Sequence, residues 1–250
     1  MTDDFDNDTD SSLGEDVLSS TASISSSILD YRRENGRTYH AYKDGNLQHN
    51  LFLLTLDDKL GLAPPNEPDS KAKHVLDVGT GTGIWATDYA DEHPDAQVTG
   101  VDLSPIQPAF NLAPDGYMEI QEADLNIQSD DGTLKPDNVM LKSLRLLNEA
   151  SVKFGRPYQD IPPLADIMKK VGFVDFVIKQ FRWPINGWPK DKKAKLLGEW
   201  CYVNMASGLE AFTMAPLTRA HGWTPEEVNL FLVDQRKAMA DKNTHAYWPM

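Results

Sequence analysis

Apolar residues along this chain fall at two spacings, and the change from one to the other marks out its elements. Leu47, Leu51 and Leu54 recur at a helical interval, so the segment before the polar, proline-bearing linker 63–73 reads as an amphipathic helix. HVLDV (74–78) and QVTGVD (97–102) are short β-branched runs that read as buried strands, with IWATDYADEH (84–93) as a helix between them. Gly79-Thr80-Gly81-Thr82-Gly83 breaks the first run. The result is a strand, glycine-rich turn, helix, strand unit of the size expected for a parallel crossover. YMEIQEAD (117–124) is strand-like, and 137–155 reads as a helix that Asp137 can cap. IPPLADIMKKVG (161–172) is a helix opened by prolines and closed by Gly172, and FVDFVIKQF (173–181) alternates as a strand does. A long helical stretch follows from about 190 to 219. Thr224-Pro225-Glu226-Glu227 then carries a capping box, the clearest helix start in the chain.

Composition narrows the class. With 250 residues, 40% hydrophobic and 25% charged, the chain has the balance of a soluble globular protein. Its longest apolar stretch, near 51–56, is far below the roughly 20 residues of a spanning helix, so no membrane span is expected. The single cysteine, Cys201, cannot form an internal disulfide, and the acidic N-terminus lacks the basic and apolar regions of a secretory signal, which points to cytoplasm or nucleus. Cys201 sits between Trp200 and Tyr202 in a helical stretch, which favours burial over nucleophilic chemistry, and no His or Cys spacing suggests a metal. The net charge of −14 is unevenly spread: residues 1–30 hold eight acids and no Lys or Arg, leaving −6 for residues 31–250. That Asp- and Ser-rich segment cannot bury enough apolar surface to offset ordering and reads as a disordered tail, either simply solvating or open to phosphates and basic partners. No basic patch of the kind nucleic acid requires is present.

The glycine turn is where chemistry enters. Three glycines on alternate positions between a strand and a helix let the backbone approach a ligand closely, which suits a nucleoside cofactor. A dinucleotide fingerprint would place Gly or Ala three residues after Gly81, where this chain has Ile84, so NAD is the weaker reading. Asp102, closing the second strand, is placed to accept hydrogen bonds from ribose hydroxyls, and Asp77 can orient the turn or meet a ligand ammonium through water.

D-x-G-x-G-x-G after a strand, with an acid closing the next strand, resembles motif I and the ribose acid of Rossmann-like S-adenosylmethionine-dependent methyltransferases. YRRENGRTYHAYKDG, HNLFLLTLDDKLGLAP, VLDVGTGTGIWATDYADEHPDAQVTGVDLSPIQP, SDDGTL, WPKD, GWTPEEV and HAYWP together resemble the fungal LaeA-like methyltransferases of secondary metabolism, over most of 31–250. The resemblance implies an α/β fold and a cofactor loop of Asp77, Gly79, Thr80, Gly81 and Gly83, with Asp102 on the ribose. It also puts the YRRENGRTYHAY segment over the cofactor side, making Tyr39 and His40 candidates for the substrate mouth. The implied organisation is a tail (1–30), N-terminal capping helices (31–62) and a methyltransferase-like domain (74–250) with a helical insertion at 186–241.

The chain departs from the family pattern at one place above all. Only 14 residues, with Pro105, Pro108 and Pro114 among them, separate Asp102 from Tyr117, too few for a parallel crossover with its helix. The expected sheet therefore lacks strands three and four, on the order of 50 residues at about 30 per unit. It also lacks most of the last strand, since the chain stops at HAYWPM. Strand 117–124 is then expected to pair with strand 74–78.

Methyl transfer from a sulfonium is an in-line displacement, in which a protein mainly aligns the partners and excludes water. The motif thus marks the cofactor and no obligatory base; His40 or Glu122 is the candidate if one is used. Trp183, Trp188, Trp200, Trp223 and Trp248 are candidates for an aromatic acceptor pocket or for core packing. Three functional readings remain: a methyltransferase acting on a small-molecule acceptor, a LaeA-like regulatory protein working through protein partners, and an inactive truncated product.

Overall fold

The computed structural model describes residues 31–34, 37–40, 47–101, 115–158 and 161–250, and the chain divides into two units, Met1–Asn46 and Leu47–Met250. The acidic segment 1–30 lies outside the described residues. In the first unit β1 (Tyr31–Glu34) and β2 (Arg37–His40) pair antiparallel, with Tyr31 opposite His40 and Glu34 opposite Arg37. Among the described residues of the segment expected as capping helices, 31–34 and 37–40 are thus paired strands, and the helix is α1 (Leu47–Thr55). In the sequence, Asn35-Gly36 between YRRE and RTYH is a two-residue hairpin signal.

In the second unit β3 (His74–Val78) and β4 (Gln97–Val101) run parallel, His74 beside Gln97 and Val78 beside Val101, joined by α2 (Ile84–Glu92). This is the crossover unit the sequence predicts. Its apolar cluster is built from Leu53 of α1, Leu60 and Tyr89, with Val75, Trp85 and Val98 against them. Tyr89 donates its hydroxyl to Pro65 O and the Trp85 indole donates to Leu60 O, so the 60–66 turn is tied down over α2. Leu76 and Val78, on the other face of β3, are 40% and 52% exposed.

Two expected strands do not form. Residues 117–124 make no ladder with β3; the Glu119 carboxylate instead accepts from the backbone N–H of Leu62 and Ala63, and the Gln121 amide donates to Leu60 O. A parallel strand gains its stability from cover on both faces. Beside β3, where Leu76 and Val78 are exposed, an added strand would extend an uncovered apolar face. Residues 173–181 alternate in hydrophobicity yet leave Val174, Val177 and Ile178 exposed. The strand begins only at β5 (Arg182–Pro184), which pairs antiparallel with β6 (Tyr247–Pro249), so the chain end does form a short strand.

The rest is helical: α3 (Val139–Lys153), α4 (Pro162–Val171), α5 (Lys192–His221) and α6 (Pro225–Ala240). Asn138, not Asp137, caps α3 by accepting from Met140 N at 2.9 Å. Asp191 caps α5, and Gly172 ends α4 in the left-handed region at φ 115°. Leu209 and Leu217 of α5, Val228 and Leu232 of α6 and Met140 of α3 make the main core with Ile185 and Ala246. At α6 both halves of the capping box are made, Glu227 N to Thr224 Oγ1 at 3.2 Å and Thr224 N to Glu227 Oε2 at 2.8 Å. Thr224→Ala is expected to cost about 1 kcal/mol, seen as a lowered urea midpoint with unchanged slope.

Candidate functional site

The glycine turn is built where β3 meets the end of β4. Gly79 N and Thr80 N both donate to Val101 O, at 2.8 and 3.0 Å, which turns the chain away from β3 at once. Gly79, Gly81 and Gly83 have φ of 80°, 54° and 80°, in the left-handed region that glycine enters without the clash a Cβ would bring. Gly83 N donates to Thr80 O at 2.8 Å, closing the loop, and Gly83 caps α2, with Thr87 bonding back to Gly83 O. A Cβ on Gly79 or Gly83 would meet no described residue within 4 Å. The glycines therefore serve the backbone's handedness and leave open space over the loop.

Beneath it the polar groups are less settled. The Thr80 side chain lies on the backbone of Gly100, where an added Cβ would stand 2.6 Å from its hydroxyl. Thr80 Oγ1 and Asp77 Oδ2 are buried with no hydrogen-bond partner among the described residues. A buried polar atom left unpaired costs about 1–3 kcal/mol, so two beside one loop are the chemistry expected at a polar ligand's seat. Asp102 lies outside the described residues; β4 is described up to Val101.

The other candidates are dispersed. Glu122 is exposed, and its carboxylate accepts the neighbouring Ala123 N–H. Tyr39 and His40 belong to β2, in the other unit. The tryptophans do not gather into one pocket. Trp183 is 1% exposed and donates to Thr55 Oγ1, Trp188 stacks on His245, Trp223 meets Phe231 edge-on, Trp248 stands opposite Trp183 in the β5–β6 ladder, and Trp200 is buried in α5. Cys201 is fully buried, and burial pushes its thiol up to about 12, so it stays protonated and inert. Spacing alone does not reveal a cluster of Asp130, Asp131, Arg182, His245 and Tyr247, because its bonded pairs are 52 to 117 residues apart. Among the described residues no group of three or more His, Cys, Asp or Glu is gathered as a metal site, and no helix is long and apolar enough to cross a membrane.

Comparison with known proteins places this geometry in a family. A methyltransferase-domain family model matches residues 75–128, which include the whole crossover unit from Val75 onward. The chain is 32% identical to methyltransferase pytC of Aspergillus terreus over 292 aligned positions, covering 92% of this chain and 89% of that protein. It is 31% identical to the probable methyltransferase tdiE of Emericella nidulans, over 82% of this chain and 78% of that one. To the secondary metabolism regulator LAE1 of Cochliobolus heterostrophus it is 29% identical, over 86% and 91%. No solved structure matches. With the glycine-turn crossover unit in place and likeness running along nearly the whole chain, this protein belongs to the fungal LaeA-like family of Rossmann-like, S-adenosylmethionine-dependent methyltransferases.

Proposed function

We propose that the loop from Asp77 to Gly83 holds S-adenosylmethionine and that the chain methylates an oxygen, nitrogen or carbon of a small molecule of fungal secondary metabolism, in the cytoplasm or nucleus. The observation that carries this reading is the pair of orphaned buried oxygens, Asp77 Oδ2 and Thr80 Oγ1, under three left-handed glycines with open space above them. When bound, the cofactor supplies an electrophilic methyl group. The chain's own work is then to hold it: the glycine backbone allows close approach, Asp77 offers a carboxylate to the cofactor's ammonium, and Asp102 is the proposed ribose partner. The acceptor's nucleophile must lie in line with the departing sulfur, which is a matter of alignment and exclusion of water. His40 and Glu122 are the side chains proposed for an acceptor that must lose a proton.

The family sheet is proposed to be shortened here. The pytC alignment spans 292 positions while using 92% of this 250-residue chain, so about 60 positions have no counterpart in it. The figure is of the order of two absent αβ units, on the order of 50 residues at about 30 per βαβ unit, proposed to fall between Asp102 and Tyr117. A second reading, a regulatory protein acting through partners, is favoured by the exposed Leu76 and Val78 face of β3 and by relatives named as regulators.

Calorimetric titration of the full chain with S-adenosylmethionine decides between them. Saturable binding is expected, weakened about tenfold or more by Asp77→Ala, as loss of a hydrogen bond to a charged group of about 1.5–3 kcal/mol implies. No heat of binding from folded protein would sink the cofactor reading and leave the regulatory one.

A further inference from the structure

The two most exposed large apolar side chains among the described residues, Val177 at 79% and Val174 at 77%, lie in one stretch, FVDFVIKQF (173–181), with Ile178 at 69% beside them. Its backbone is tied only at the ends. Phe173 N donates to Met168 O at 3.1 Å, where Gly172 closes α4, and Phe181 and Met250 exchange N–H to O bonds of 2.8 and 2.9 Å at the head of the β5–β6 pair. Between these ties no backbone group of 174–180 bonds to a described residue, and the Asp175 and Lys179 side chains have no hydrogen-bond or ion-pair partner among the described residues. Asp175 stands at φ 57°, a left-handed conformation that a residue with a Cβ holds at a cost.

An alternating apolar run with open backbone groups is a template for a strand from another chain. The residue pattern states which strand. Laid antiparallel on a second copy of itself, about a two-fold axis through Val177, the stretch sets Asp175 opposite Lys179 twice over. The same register sets Phe173 opposite Phe181 and Val177 opposite its own copy on that face, with Phe176 opposite Ile178 and Val174 opposite Gln180 on the other. Opposite charges and aromatic or β-branched pairs facing each other across strands are favourable, and like charges are not. Shifting the register by one or two residues either way puts both charges opposite apolar or amide side chains, and an in-register parallel pairing sets Asp on Asp and Lys on Lys. The two charges thus select one direction and one register. Pairing there also draws Asp175 out of the left-handed region.

We propose that residues 173–181 are a self-complementary dimerisation strand, through which two copies of this chain join antiparallel. A two-fold pairing is closed, so assembly stops at two copies. No residue of the glycine loop takes part, and the inference stands independently of the cofactor reading.

Sedimentation velocity of the full chain is the test, in about 0.15 M salt, where charges more than about 8 Å apart are screened and the −14 carried by each copy does not hold the copies apart. A monomer–dimer equilibrium with a midpoint in the micromolar range is expected. Lys179→Asp sets an acid opposite Asp175 at two places and should weaken the dimer about tenfold or more. Asp175→Lys should do the same with two bases. Both changes in one chain restore opposite charges in the same register and should return the wild-type midpoint, with circular dichroism showing each variant folded and S-adenosylmethionine titration unchanged throughout. Val177→Cys gives a second route if the charge variants do not fold. Its two thiols face each other across the axis and should form a disulfide-linked dimer under mild oxidation, with the buried Cys201 silent. Gln180→Cys places them six residues apart along the strands, about 20 Å, and should not. A monomer up to about ten times the expected micromolar range, assembly beyond the dimer, single charge variants that dimerise as the wild type does, a folded double variant that fails to recover, or equal cross-linking of the two cysteine variants would each overturn the proposal.

Discussion

Gly81→Val is expected to lose S-adenosylmethionine binding by on the order of a hundredfold or more, with a thermal midpoint lowered by only a few degrees. Gly81 sits at φ 54° between Gly79 and Gly83, both at 80°. A left-handed residue with a Cβ costs about 1–2 kcal/mol, and β-branching makes the conformation rarer still. The chain has two ways to respond, and both harm binding. If the loop keeps its shape, the valine side chain enters the open space over the turn, where the nearest chain atom to a Cβ is Gly79 O at 3.9 Å. If it relaxes, the bonds from Gly79 N and Thr80 N to Val101 O no longer aim the turn at the end of β4. Calorimetry measures the binding loss, and differential scanning of the same sample separates it from unfolding. Wild-type affinity in the variant would show that the cofactor does not approach this loop.

Trp183→Ala is expected to be the most destabilising single change, at about 3–5 kcal/mol, against a total stability of about 5–15 kcal/mol for an ordinary domain. Trp183 is 1% exposed, packs edge-on against Phe52 at 5.2 Å and donates its indole N–H to Thr55 Oγ1 at 2.7 Å. Removing it opens a cavity and strips a buried hydroxyl of its donor at the same point. The effect should also reach the glycine turn. α1 and the turn after it join α5 and β5 through Asn204 to Gln48, Lys193 to Asp57 and Trp183 to Thr55, and α1 joins α2 through His49 Nε2 to Asp88 Oδ2 at 2.9 Å. Loosening α1 at Trp183 therefore loosens the helix on which α2 rests. Urea denaturation followed by circular dichroism gives the stability change, and Trp183→Phe, which keeps the ring and loses only the donor, should recover most of it.

What was legible in the residues is what local chemistry decides. The crossover unit of β3, turn, α2 and β4 follows from two β-branched runs and glycines at positions that need positive φ. The start of α6 follows from Thr224 and Glu227, which satisfy each other's backbone within four residues, and the end of α4 follows from Gly172. The turn proposed as the cofactor loop was legible as a turn for the same reason, since Asp77 to Gly83 is one continuous stretch. Asn35-Gly36 signalled a hairpin just as locally, and aromatic and basic neighbours obscured it.

The remainder depended on partners that no local pattern names. The segment 117–124 is strand-like and 173–181 alternates, yet neither enters a ladder, because a local pattern says which side of a strand is apolar and not whether a covered neighbour exists to pair with. The cap of α3 moved by one residue, from Asp137 to Asn138, according to which side chain could reach Met140 N. His245 and Asp131, 114 positions apart, met only through the pairing of β6 with β5 and with Gln128. The sequence by itself thus determined the glycine-turn crossover unit, the start of α6, the end of α4 and the family. Tertiary structure alone decided which alternating segments became strands, which aromatics were buried and where the cluster of Asp130, Asp131, Arg182, His245 and Tyr247 gathers, because burial and pairing are properties of surfaces brought together by the whole chain, whereas turn handedness and capping are settled within one turn of backbone.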